Sequence, residues 1–132
     1  MFDILRTRRR LLADRAVLGR WGEKRCERFL RKKGFQTLTY NFSCKAGEID
    51  LIMVDSEGTI VFVEVRTKAH EDFSSAESSI TSSKKVKLLR TARYFLATHN
   101  IENRPFRFDV VTIVLGQAGK PQIRHYESAF VP

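Results

Sequence analysis

Asp50 and Glu64 are the residues of this chain whose types and spacing could do chemistry together. Each interrupts an apolar run, Gly47-Glu48-Ile49-Asp50-Leu51-Ile52 and Val61-Phe62-Val63-Glu64-Val65-Arg66. Runs rich in Ile, Leu, Val and Phe read as β-strands. A strand sends successive side chains to opposite faces. Glu48, Asp50, Ile52 and Val54 therefore share one face, and Ile60, Phe62, Glu64 and Arg66 share another. The polar stretch from Asp55 to Thr59, with Gly58 in it, is the turn between them. Pairing Val54 with Ile60 puts Ile52 opposite Phe62, Asp50 opposite Glu64 and Glu48 opposite Arg66. A slip of one residue would send the two carboxylates to opposite faces.

Acids facing each other across a ladder repel, and apolar surroundings raise the cost. A cation offsets it. Arg66 is one candidate, and a divalent ion such as Mg²⁺ (or Mn²⁺), which prefers carboxylate and carbonyl oxygens, is the other. The plainer alternative is a surface hairpin with a salt-bridged charged end.

Asp50, thirteen residues, then Glu64-Val65-Arg66 looks like the D…(D/E)xK signature of restriction-endonuclease-like nucleases. The fuller set is GEIDLI, VFVEVRTK, a Thr-x-x-Lys helix start at Thr81 and Lys84, and the run from Arg107 to Val111. That set resembles the YraN family, also called UPF0102, from about Gly19 to Val111. The resemblance implies a fold similar to that of archaeal Holliday-junction resolvases. It also implies a Mg²⁺-dependent endonuclease acting on branched or damaged DNA. Glu23, Asp50, Glu64 and the backbone carbonyl of Val65 would hold the ion, and Arg66 or Lys68 would orient a water or hold the scissile phosphate. Lys84 would add its charge to a helix N-terminus, which attracts phosphate by itself. The last Lys of the signature is Arg66 here. Arginine can clamp a phosphate or polarise a water, but it cannot give up a proton near neutrality. A catalytically inactive nucleic-acid-binding protein of the same fold is therefore the second reading.

The elements that must position these residues follow from periodicity and end signals. Asp14 to Lys33 reads as a helix, capped by Asp14 and stopped by Gly34. Leu18, Gly22, Cys26, Phe29 and Leu30 form its apolar stripe, Arg20, Lys24, Arg28 and Arg31 lie opposite, and Glu23 sits at the stripe's edge. Gly19 and Gly22 predict close packing there. Phe35 to Phe42 is a strand and Ser43 to Ala46 a turn. Lys68 to Ser78 is a loop leaving the Glu64 strand. Thr81 to His99 is a second helix, with an apolar stripe of Leu88, Leu89, Ala92, Phe95 and Leu96 and a basic side of Lys84, Lys87, Arg90 and Arg93. Arg107 to Val114 is a strand with Asp109 on the face opposite Phe108 and Val110, paired structurally with an Arg. Gly116 to Pro121 is a turn before an edge strand, Gln122 to Tyr126. The order predicts an α/β domain with a mixed sheet flanked by helices. Strands one to three form a meander, and the fourth returns parallel to the third.

At 132 residues the chain is one domain, with residues 1–14 as a basic arm and 15–132 as the folded unit. Two cysteines, Cys26 and Cys44, lack zinc-site spacing and read as free thiols. No run is long enough to span a membrane and no signal-peptide core follows the first basic residues, so the expected place is the cytoplasm. A homodimer is allowed. The net charge of +9 is concentrated: residues 1–33 carry twelve Lys or Arg against four Asp or Glu. Such clustering points to a polyanion, with nucleic acid, DNA foremost, as the first candidate. Arg8, Arg9 and Arg10 would form its arm, and Lys84 and Lys87 a second contact. A basic interaction module for an anionic membrane, built on Leu11, Leu12, Val17 and Leu18, or for a protein partner, is the third reading. His70, His99 and His125 receive no catalytic role.

Overall fold

The Asp14 carboxylate accepts hydrogen bonds from the backbone N–H groups of Ala16 (2.9 Å) and Val17 (3.4 Å). It thereby caps the long helix α1 (Arg15–Lys32), which follows a short helical stretch at residues 9–11 and 13. Gly34, at φ +98°, ends it in a backbone region that suits glycine. In this computed structural model residues 9–11, 13–69, 80–116 and 120–131 are described. The chain continues through β1 (Gln36–Cys44), β2 (Gly47–Val54), β3 (Ile60–Lys68), α2 (Ser82–Thr98), β4 (Phe106–Val114) and β5 (Gln122–Tyr126). Thr81 caps α2, its Oγ1 accepting from the Lys84 N–H at 3.2 Å.

The five strands form one sheet in the order β1-β2-β3-β4-β5. β3 and β4 are parallel and the other neighbours antiparallel. This is the expected mixed sheet, with the expected crossover through α2. The strand expected to stop at Phe42 continues to Cys44, so the turn contracts to Lys45 and Ala46. The expected loop after Lys68 lies largely outside the described residues, as do His70 and Phe73.

Each face of the sheet is covered. Leu88, Ala92 and Phe95 of α2 pack with Ile52, Ile60, Phe62, Phe108 and Val110. Cys26 and Leu30 of α1 pack with Leu51, Met53, Val61, Val63, Val111 and Ile113. Residues 60–64 of β3 are buried throughout, as expected of a strand covered on both faces. Burying each large apolar side chain contributes about 1.5–3 kcal/mol, so these two clusters set the stability of the frame.

α1 lies close against β3 at Gly22, where an added Cβ would stand 1.8 Å from Thr67 Oγ1. The same test at Gly19 meets nothing within 4 Å, so only one of the two glycines expected to pack closely does so. Both cysteines are free.

Candidate functional site

The register predicted for the hairpin is present near its turn, where Val54 pairs with Ile60 and Ile52 with Phe62. The ladder then ends at Leu51 and Val63, although both strands run on. Asp50 and Glu64 are therefore not ladder partners, and neither are Glu48 and Arg66. Instead the Asp50 carboxylate enters the fork between the strands and accepts a 2.9 Å hydrogen bond from the Val65 N–H. A side-chain acceptor replaces a backbone one where the ladder opens.

The cause is an interruption of regular alternation. Asn41 lies between the pairs Tyr40↔Leu51 and Phe42↔Ile49, across from Asp50, and has φ +52°. Asn tolerates that conformation better than most residues. Ile49 and Ile52 consequently pack in the same α2-side cluster, which strict alternation forbids. The expected shared face of Glu48, Asp50, Ile52 and Val54 is broken at Asp50.

Glu64 keeps its predicted direction, toward α2 with Phe62, and is 8% exposed. Its Oε1 lies 2.6 Å from Lys84 Nζ and 3.8 Å from Arg66 Nε. Lys84, expected to hold phosphate, thus places its ammonium on the carboxylate. Asp50 and Glu64 line a cavity of about 360 Å³ together with Gly47, Glu48, Ser83 and Lys87. Burial and then the charge of Glu64 push the Asp50 carboxyl up to about 7, against the Val65 hydrogen bond and Lys84, which favour its ionised form.

Glu23 approaches from the other side of the sheet and lines a neighbouring cavity of about 230 Å³ with Arg20, Lys24, Glu27, Tyr40 and Asn41. Its pKa is raised, by burial first and then by Glu48 and Glu64. It shares the field of the acid pair without joining the pair's cavity. Among the described residues no three His, Cys, Asp or Glu side chains stand close enough to hold one ion. The expected set of three carboxylates is not assembled, because Glu23 belongs to the helix on the opposite face and Lys84 covers Glu64. The donors still suit a hard cation: two desolvated carboxylates line one cavity, with an ammonium already drawn to one of them.

Arg66 and Lys68 continue the face of Glu64 along β3. Lys87 is exposed at the cavity, and Arg9 and Arg10 are exposed near the chain start. Arg8 lies outside the described residues.

Sequence reasoning missed a second charged cluster, on the α1 side. Asp109, fully buried, accepts from Arg107 Nε at 3.0 Å and from the Ser128 N–H at 3.0 Å, and bonds His125 Nε2 at 2.7 Å. Arg107 also reaches Asp55 at 3.0 Å, and Lys33 Nζ meets His125 Nδ1 at 3.0 Å. Burial raises the Asp109 pKa, but the bonds from His125, Arg107 and Ser128 prevail and hold it below the ordinary value. The cluster ties the end of α1, the β2–β3 turn, β4 and β5 together. The Arg partner of Asp109 was legible in sequence. His125 was not, since it stands 16 residues away on the edge strand.

Over part of its length the chain is similar to two solved structures, at low scores. The structure of an EndoMS–dsDNA complex matches with a TM-score of 0.28 and 17% identity, over 57% of this chain and 26% of that one. Pyrococcus furiosus SfsA in complex with Ca²⁺ matches with a TM-score of 0.40 and 13% identity, over 83% and 63%. Neither likeness bears on the chemistry. The sequence relatives are nearer. A UPF0102 protein of Roseiflexus castenholzii is 42% identical over 84% of this chain and 90% of its own. One of Pelotomaculum thermopropionicum is 38% identical over 90% and 100%. The model of the uncharacterised protein family UPF0102 matches residues 22–113, the span that holds Asp50, Glu64, Lys84 and Asp109. The chain belongs to the UPF0102 family.

Proposed function

We propose that the protein is a metal-dependent endonuclease, with branched or damaged DNA as its substrate class. One observation carries the reading. Two acids, one of them pushed up to about 7, share a cavity with the start of α2 and its Lys84 and Lys87. Perturbed carboxylates in a cleft are candidates for function, and the basic surround selects a polyanion.

Asp50, Glu64 and the Val65 carbonyl would hold Mg²⁺ or Mn²⁺, with Glu23 adding only its charge from the neighbouring cavity. A bound ion there supplies an acidified water and neutralises charge that develops on the phosphate. The Val65 N–H orients Asp50 by fixing one carboxylate oxygen, and the residue lines the cavity. Arg66 clamps the scissile phosphate, and Lys68, two residues on, extends the grip. Lys84, Lys87 and the N–H groups at the start of α2 receive a flanking phosphate. Arg9 and Arg10 contact the backbone further away. Binding is then weakly dependent on sequence and steeply dependent on salt. About five phosphate contacts give a slope of log K against log salt of roughly −4 to −5.

The test is a cleavage screen over duplex, single-stranded, flap and four-way DNA with Mg²⁺ and with Mn²⁺, run beside Asp50→Ala. Cleavage that requires the ion and disappears in the variant is the expected result. Salt-sensitive binding with no cleavage would establish the second reading, a non-cleaving nucleic-acid-binding protein. The Lys84–Glu64 ion pair favours that reading, since it already neutralises the buried acid. Salt-sensitive binding to anionic vesicles, with none to any nucleic acid, would overturn both.

A further inference from the structure

Glu64 is the most enclosed acid of the candidate site, and an ionised carboxylate there needs a counter-charge. Arg66 supplies part of it from 3.8 Å but makes no hydrogen bond to Glu64 at that distance. Lys84 does, at 2.6 Å, through a charge-assisted bond. The two partners come from different layers. Glu64 is fixed in the central strand β3, while Lys84 is the third residue of α2, held at its backbone by the Thr81 cap.

Their exposures differ as well. The side chain of Glu64 is 9% exposed and that of Lys84 40%. Lys84 therefore stands at the mouth of the cavity and can swing outward without unpacking the core. Where it would swing is also defined. The cavity is lined on that side by Thr81, Ser83 and Lys87, at the N-terminal end of α2. A phosphate seated there offers the ammonium a second anion within the reach of its own four-carbon stem.

We infer that Lys84 is a displaceable counter-ion. It closes Glu64 to a divalent cation while the site is empty, and a nucleic-acid phosphate at the start of α2 draws it away and opens the acid pair. The inference rests on the metal-dependent reading above and adds an order to it: substrate first, ion second. In thermodynamic terms phosphate and cation bind with positive coupling, and the coupling acts equally in both directions. Without Lys84 the coupling is lost and the acid pair is open throughout.

The experiment is isothermal titration of the full chain with Ca²⁺, alone and with a short duplex DNA, subtracting a titration of the duplex by itself. Lys84→Gln and Lys84→Met remove the charge, Lys84→Arg keeps it, and Asp50→Asn reports whether the heat belongs to this site. Wild type should bind Ca²⁺ weakly alone and about tenfold more tightly with duplex, a typical allosteric coupling. Lys84→Gln and Lys84→Met should bind about tenfold more tightly than wild type without duplex and gain nothing from it. Lys84→Arg should stay within about twofold of wild type, since it keeps the charge. Circular dichroism of each variant confirms that it is folded before titration. Equal Ca²⁺ affinity of wild type and both neutral variants without duplex, or equal tightening of all of them by duplex, would overturn the inference while leaving the metal site standing. Absence of any heat sensitive to Asp50→Asn, with or without duplex, would instead remove the metal-dependent reading itself.

Discussion

Replacing Asp50 by Asn should make the ion-free protein more stable, and the gain should depend on pH. In the folded chain the Asp50 carboxyl is raised from 3.8 to about 7, by burial first and the Glu64 charge second. The unfolded chain has the ordinary value. Between the two values the folded state holds a proton that the unfolded state has released. Stability therefore falls as pH rises from about 4 to about 7, and the loss is complete above that. At about 1.36 kcal/mol per unit the full difference is on the order of 4 kcal/mol. Asn carries no charge to desolvate, and its Oδ1 can keep the 2.9 Å bond from the Val65 N–H. With some relaxation of the site in wild type, Asp50→Asn should gain about 3 kcal/mol above pH 8, or roughly 10 °C in Tm for a domain of this size. The advantage should shrink steadily below pH 7 and vanish near pH 4. Thermal and urea denaturation of both proteins across that range, in chelator, measures it. Millimolar Mg²⁺, enough to compete with Lys84 for Glu64 despite weak binding, should stabilise wild type alone and narrow the gap. A variant less stable than wild type at pH 8, or an offset that does not change with pH, would refute the reasoning.

Asp109→Asn should act in the opposite sense. Its carboxyl is held below the ordinary value, so its contribution is present above about pH 4 and is lost as pH falls through the folded value. Breaking this buried network should cost about 3–5 kcal/mol at pH 7 and flatten the acid limb of the stability profile, read by urea midpoints between pH 2 and pH 7. Gly22→Ala should cost about 1–3 kcal/mol by overpacking. Rotating Thr67 cannot relieve it, because the Thr67 Cβ itself would stand 2.9 Å away. Adding Thr67→Ala should recover part of the loss in the same denaturation assay. Thr81→Ala removes the cap on the Lys84 N–H and should cost about 1 kcal/mol, with faster amide exchange confined to the first turn of α2.

Much of the frame was legible from local signals. Asp14, Gly34 and Thr81 mark helix ends because their side chain or φ solves a problem one turn long. Apolar runs marked β2, β3 and β4, and the buried stripes of both helices followed from a period of 3.6. Gly22 marked a close approach, though Gly19, an identical signal three residues earlier, marked none. A glycine reports only that a side chain is absent; what lies opposite is a tertiary fact.

By itself the sequence determined the α/β order, the hairpin register near Val54 and Ile60, and the two acids of the candidate site. These depend on alternation and on turn length, which a few neighbouring residues settle. Tertiary structure alone decided how the acids meet. Alternation assumes an unbroken ladder, and the positive φ of Asn41, across from Asp50, breaks it. Asp50 then turns into the fork to meet the Val65 N–H. The partner of Glu64 is likewise set by packing: Lys84 arrives 20 residues later on α2, and only the docking of that helix on the sheet brings it to 2.6 Å. His125 reaches Asp109 for the same reason, across the β4–β5 edge. A charge in a sequence has a position along the chain but no field. Its pKa and its partner come from the burial and the neighbours that folding supplies.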